Sequence, residues 1–212
     1  MNKNGLSEKK LGFKFNPINE QIMCLSKGLN LEPDQALDWV KETNSTDNKN
    51  ICAIANWRYV SPNYGLAVKK LLLCVSEFSR KEVINFRLLK FDNSFSQEER
   101  YKAYFTKILS QQGEIVILPA EISDNYRRFQ AVVAKHLSEG FSFGVFATLS
   151  LLIANPRLLN EDMEIACLGD RYAPNNNGDF SMIPQLSWQY GIILSGIKPV
   201  DEVSHIIISN PR

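Results

Sequence analysis

The sequence predicts an α+β protein: a helical N-terminal part, then a mixed or antiparallel sheet with packed helices, with a β-rich C-terminal third. Three observations predict it. Apolar residues recur at helical spacing mainly before residue 140. Apolar and β-branched runs bounded by turn residues dominate after it. Helices and strands are thus segregated, unlike the regular alternation of a doubly wound sheet.

Residues 1–14 are polar and read as a flexible lead-in. Asn16-Pro17 opens a helix with Ile18, Ile22 and Leu25 on one face and Gly28 as its stop. Pro33 precedes a second helix carrying Ala36, Leu37 and Val40. Residues 15–44 therefore read as a small helical lobe. The polar, turn-rich tract Thr43 to Asn50 separates it from a main α+β domain over 50–212.

Three apolar segments follow, Ile51 to Val60, Val68 to Phe78 and Val83 to Phe91, and at least two of them read as strands. The middle one also fits a helix, because short apolar runs do not separate the two. Ser96-Gln97-Glu98-Glu99 has the form of a capping box for a helix carrying Tyr101, Tyr104, Phe105, Ile108 and Leu109 and ending at Gly113. Glu114 to Pro119 reads as a buried strand. Ser123 then caps an amphipathic helix, with Tyr126, Phe129, Val132, Val133, His136 and Leu137 inward and Gly140 at its C-terminus. Glu164 to Leu168, Gly191 to Ile197 and Val203 to Ser209 read as strands, the last two joined by residues 198–202. Gly169 to Gly178 is a long polar loop.

The chain has 24 basic and 23 acidic residues, so no overall charge draws it to nucleic acid or an anionic membrane. Its longest apolar run, Phe141 to Ala154, falls short of the ~20 residues a bilayer span needs. The four cysteines, Cys24, Cys52, Cys74 and Cys167, are scattered and mostly in apolar company, which predicts free buried thiols in a reducing compartment. The N-terminus lacks a secretory pattern. A cytoplasmic location is expected, with no membrane partner.

The best candidate chemistry is Gly140-Phe141-Ser142-Phe143-Gly144, a match to G-x-S-x-G. The apolar run behind it resembles the helix that follows the nucleophile elbow in α/β-hydrolases. That resemblance implies Ser142 as nucleophile, His205 as base and Asp170 as its orienter, in hydrolase order. The surrounding residues read otherwise. An elbow needs a strand before its first glycine, and here the pattern is helical. Phe141 and Phe143 crowd the serine, and no H-G-G-G segment supplies an oxyanion hole. A helix stop at Gly140 followed by a buried strand or helix explains the stretch better, and the balance leans away from an enzyme.

No nucleotide-binding glycine motif is present and no cofactor is implied. Two histidines exclude a His-rich metal site, and the polar loop fails the calcium template, so no metal is assigned. Tyr126-Arg127-Arg128-Phe129 interleaves arginines with aromatics, which leaves a nucleic-acid accessory role as a further, less favoured alternative. The favoured expectation is a binding or interaction protein with a protein partner or a second copy of itself. It would act through the polar loop 170–179, by Asp170, Arg171, Asn175, Asn177 and Asp179, with Trp57 and Trp188 nearby; Asp170 and Arg171 are expected as a surface recognition pair.

Overall fold

The computed structural model describes residues 14–43, 51–84, 95–97, 113–125, 141–160, 164–173, 179–188, 191–197 and 205–210. The segregation expected from the sequence is present: helices come early, antiparallel strands follow, and the C-terminal region is strand-rich. None of the described helices is long and apolar enough to cross a membrane.

Helix α1 (Ile18–Leu29) buries Ile18, Ile22 and Leu25, the face its spacing predicts. It runs through Gly28 and ends where Asn30 adopts the left-handed conformation, φ 54°. Gly28 serves packing instead of stopping the helix, because an added Cβ would meet the Phe78 ring at 3.0 Å and Ile153 at 3.2 Å. Helix α2 (Asp34–Thr43) buries Ala36 and Val40 against the same core. The next strand, β1 (Ile51–Ala55), is followed by the one-turn helix α3 (Trp57–Val60), whose cap Asn56 accepts from the Arg58 amide. Val68 to Phe78, offered above as strand or helix, lies within helix α4 (Tyr64–Ser79). Asn63 caps it by accepting from the Leu66 amide, and that cap settles the ambiguity left by the apolar run.

Strand β1 pairs antiparallel with β3 (Ile115–Pro119), Ala53 opposite Ile117. The two-residue β5 (Phe141–Ser142) leads into helix α5 (Val145–Ala154), all ten residues of which are buried. A helix apolar on every side must lie inside the molecule, and α5 packs between α1, α4 and β1. The free edge of β1 is buried too, so its main-chain groups need partners. Gln21 of α1 accepts from the Ala53 amide at 3.0 Å, and Ser150 of α5 accepts from the Ala55 amide at 3.3 Å. Gln21 also donates to the Asn16 carbonyl at 2.7 Å, and its Oε1 accepts from Asn155 at the far end of α5. Gln21→Leu is expected to cost about 2 kcal/mol in urea unfolding, since it strands the Ala53 amide inside the core; a change under about 0.5 kcal/mol would contradict that role.

The larger sheet has the order β4-β10-β6-β8-β9. These strands are β4 (Glu121–Asn125), β6 (Glu164–Ala166), β8 (Ile183–Ser187), β9 (Ile193–Ile197) and β10 (His205–Asn210). β10 runs parallel to β6 and antiparallel to β4, and β5 pairs with its end. Three expectations need correcting. Ser123 lies in β4, opposite Ile207, where the hydrogen-bonding partner comes from the far C-terminus and no local pattern reveals it. Ser96, expected to cap a helix, lies on a strand opposite Arg171, while β9 pairs with β8 and β10 inserts beside β6. The polar loop does not begin at Gly169, because β7 (Asp170–Tyr172) pairs with β2 (Phe95–Gln97). The helices expected over 101–109 and 126–139 lie outside the described residues, as does most of Val83 to Phe91.

Candidate functional site

Strand β6 ends in a buried turn, Cys167-Leu168-Gly169, that reverses the chain into β7. The Gly169 amide donates to the Phe143 carbonyl at 3.2 Å, which fastens this turn to the segment entering α5. Asp170 is thereby aimed at the start of that helix. Its Oδ2 accepts from the Val145 amide at 2.6 Å and from the Tyr64 hydroxyl at 2.7 Å. A carboxylate at a helix N-terminus satisfies an otherwise orphaned amide and complements the helix dipole.

The carboxyl group lies flat against Gly144. A Cβ built there would stand 2.5 Å from Oδ1 and 2.6 Å from both Cγ and Oδ2. Gly144 has φ −82° and ψ 178°, which any residue adopts, so it is the space that requires glycine. Asp170 is fully buried, and its Oδ1 has no hydrogen-bond partner among the described residues. Burial raises its pKa from 3.8 to about 7, against the opposing pull of the Tyr64 and Val145 hydrogen bonds and the nearby Arg171 charge. The Cys167 thiol, also fully buried, is pushed up by desolvation while its contact with the Thr148 hydroxyl pulls it down.

Tyr64 links this buried group to the exterior. It opens α4 and is half-buried, its ring set edge-on to Trp57 at 5.7 Å and tilted against Phe146 at 6.1 Å. Trp57 is half-buried, and the exposed Arg58 places its guanidinium 5.7 Å from the Trp57 ring centroid. Tyr59 on the same turn is 56% exposed. A continuous chain thus runs from Asp170 through Tyr64 to Trp57 and Arg58.

Of the residues the sequence singled out, Asp170, Arg171 and Trp57 come together here. Asp170 is not half of a surface pair: it is fully buried, held by its bonds to the Val145 amide and the Tyr64 hydroxyl; Arg171 is half-buried, its guanidinium 3.5 Å from the Asp170 carbonyl. Trp188 is also no surface residue. It is 1% exposed in the core, its carbonyl accepting from Lys81 at 2.7 Å. Asp179 is exposed, and Asn175 and Asn177 lie outside the described residues. Ser142 sits on β5 opposite Ser209, and His205 opens β10 opposite Asn125.

Sequence reasoning missed the link between Tyr64 and Asp170 and the true role of Gly144. The only signal for Gly144 was its place as the last glycine of G-x-S-x-G, and Tyr64 lies 106 positions from Asp170. Comparison with protein-family models, curated proteins and solved structures finds no match.

Proposed function

We propose that this chain is a binding protein whose recognition face is the α3 turn with the adjoining start of α4, together with Arg171. The observation that carries this reading is the Trp57-Arg58-Tyr59 turn: Tyr59 stands 56% exposed beside an arginine held over an aromatic ring at 5.7 Å. Tryptophan, tyrosine and arginine dominate binding hot spots because they offer large contact area with polar handles. The buried Asp170–Tyr64 bond supports the same face from beneath, holding Trp57 against a rigid helix start. Between Asp47 and Glu77 the chain carries Lys49, Arg58, Lys69 and Lys70 and no carboxylate, which favours an acidic protein partner.

The test is affinity capture by the wild-type chain and by Arg58→Glu/Tyr59→Ala in parallel, with Lys41→Ala as the control on α2 and quantitative mass spectrometry as the readout. Retention of a specific partner, a second copy included, should fall roughly tenfold or more in the double variant and stay unchanged in the control. Equal retention by all three, or none by the wild type, sinks the proposal. The serine-hydrolase alternative predicts labelling of Ser142 by a fluorophosphonate that Ser142→Ala abolishes. A binding protein of this kind is expected to show no such labelling.

A further inference from the structure

Most polar groups in this core are accounted for. Gln21 and Asn155 answer the edge of β1 and the end of α5, and Lys81 answers two carbonyls. Oδ1 of Asp170 stands apart: it is the one buried side-chain oxygen or nitrogen without a partner among the described residues. It belongs to a carboxyl that caps a ten-residue helix and is pressed on a glycine.

We propose that Asp170 is a proton-operated latch. Protonated, it sits on Gly144 and joins the first turn of α5 to Tyr64; ionised, it draws its unpartnered oxygen toward water and loosens the joint at Tyr64 and Trp57. The reasoning is physical. A neutral acid carries its proton on Oδ1 and keeps Oδ2 as the acceptor of both bonds, so Oδ1 is an uncharged hydroxyl whose dry burial has a modest cost. An ionised acid leaves half a charge there without a donor, at a far larger cost. Two donors on Oδ2 and the helix dipole favour the ionised form, and desolvation opposes them. Of the two donor groups, Val145 is fully buried and Tyr64 half-buried. Tyr64 is therefore the side on which water can reach the carboxyl.

The titratable or charged groups around the latch on the described elements are few. They are Tyr64 from α4, Cys167 and Arg171 flanking Asp170, and Tyr172 two residues on. α5 contributes no ionisable side chain, and Gln97 is opposite on β2. Burial raises Cys167 and Tyr172 above their ordinary values, and an arginine stays charged throughout. A change near neutral pH therefore falls to Asp170, raised to about 7.

The latch does not depend on the recognition role of the Trp57 turn, and its test needs no partner. In a ¹³C- and ¹⁵N-labelled full chain titrated from pH 5 to 9, the Asp170 carboxyl carbon should move with a midpoint near neutrality. The Val145 amide and Trp57 indole resonances should follow with the same midpoint. Asp170→Asn should abolish all three changes. Tyr64→Phe removes a donor that favours the ionised form, so the midpoint should rise by about half a unit or more. This second variant keeps the test sharp should the first fail to fold. A carboxyl that holds one form from pH 5 to 9 overturns the latch. So does a neutral titration that leaves Val145 and Trp57 unmoved.

Discussion

Gly144→Ala is expected to destabilise the protein by about 3 kcal/mol, a large effect for one methyl group. The new Cβ would stand 2.5–2.6 Å from three atoms of the Asp170 carboxyl, which is fully buried and tied to the Val145 amide. Overfilling a closed site costs about 1–3 kcal/mol, and displacing the carboxyl adds about 1 kcal/mol for the lost helix cap. The backbone at Gly144 imposes nothing of its own, as its dihedrals suit any residue. Gly28→Ala is the natural control. Its Cβ meets the tip of the Phe78 ring, a side chain 46% exposed and able to move, and the Ile153 methyl at 3.2 Å. The gain in helix propensity, about 1 kcal/mol, offsets that contact, so a net change within about 1 kcal/mol is expected. Urea unfolding of both variants checks the contrast; equal losses would mean that glycine matters at 144 for a reason other than Asp170.

The second large effect is on the pH dependence of stability. Asp170 has its folded pKa raised, to about 7, above an unfolded value of about 3.9. Its contribution is thus fully present below about pH 4, falls as pH rises toward 7 and is flat beyond. The span is on the order of 4 kcal/mol, roughly three units at 1.36 kcal/mol each. Asparagine mimics the protonated acid: its oxygen can accept from Val145 and Tyr64, and its amide takes the unpartnered position. Asp170→Asn should therefore match the wild type near pH 4 and become the more stable protein by pH 8. Unfolding midpoints measured across that range decide it. Parallel curves, or an asparagine variant weaker at pH 8, would show that the native state keeps the charge. Asp170→Ala behaves differently, leaving the Val145 amide and the Tyr64 hydroxyl without their acceptor at every pH; a loss of about 3 kcal/mol is expected.

Much of the architecture was legible because it is written in local periodicity. Ile18, Ile22 and Leu25 mark the buried face of α1, and Glu114 to Pro119 carries the apolar run of β3. What escaped was set by partners distant in sequence. Ser123 looks like a cap until Ile207 arrives beside it. Asp170 looks like a loop carboxylate until Gly144 and Tyr64, 106 positions away, close around it. Trp188 looks like a binding aromatic until the core takes it in. Trp57 was singled out as an aromatic residue of the kind enriched at binding sites, a signal that needs no tertiary context. Gly144 was noticed for a catalytic pattern, and its place in the fold rests on steric room for a carboxyl.

The central claim is that Asp170, seated on Gly144, joins the start of α5 to Tyr64. A double-mutant cycle of Gly144→Ala and Asp170→Ala tests it most directly. If the alanine Cβ and the carboxyl compete for one space, the double variant loses less than the two single losses added, by more than about 1 kcal/mol. Losses that add within about 0.5 kcal/mol would mean that the two residues do not meet, and would contradict the account.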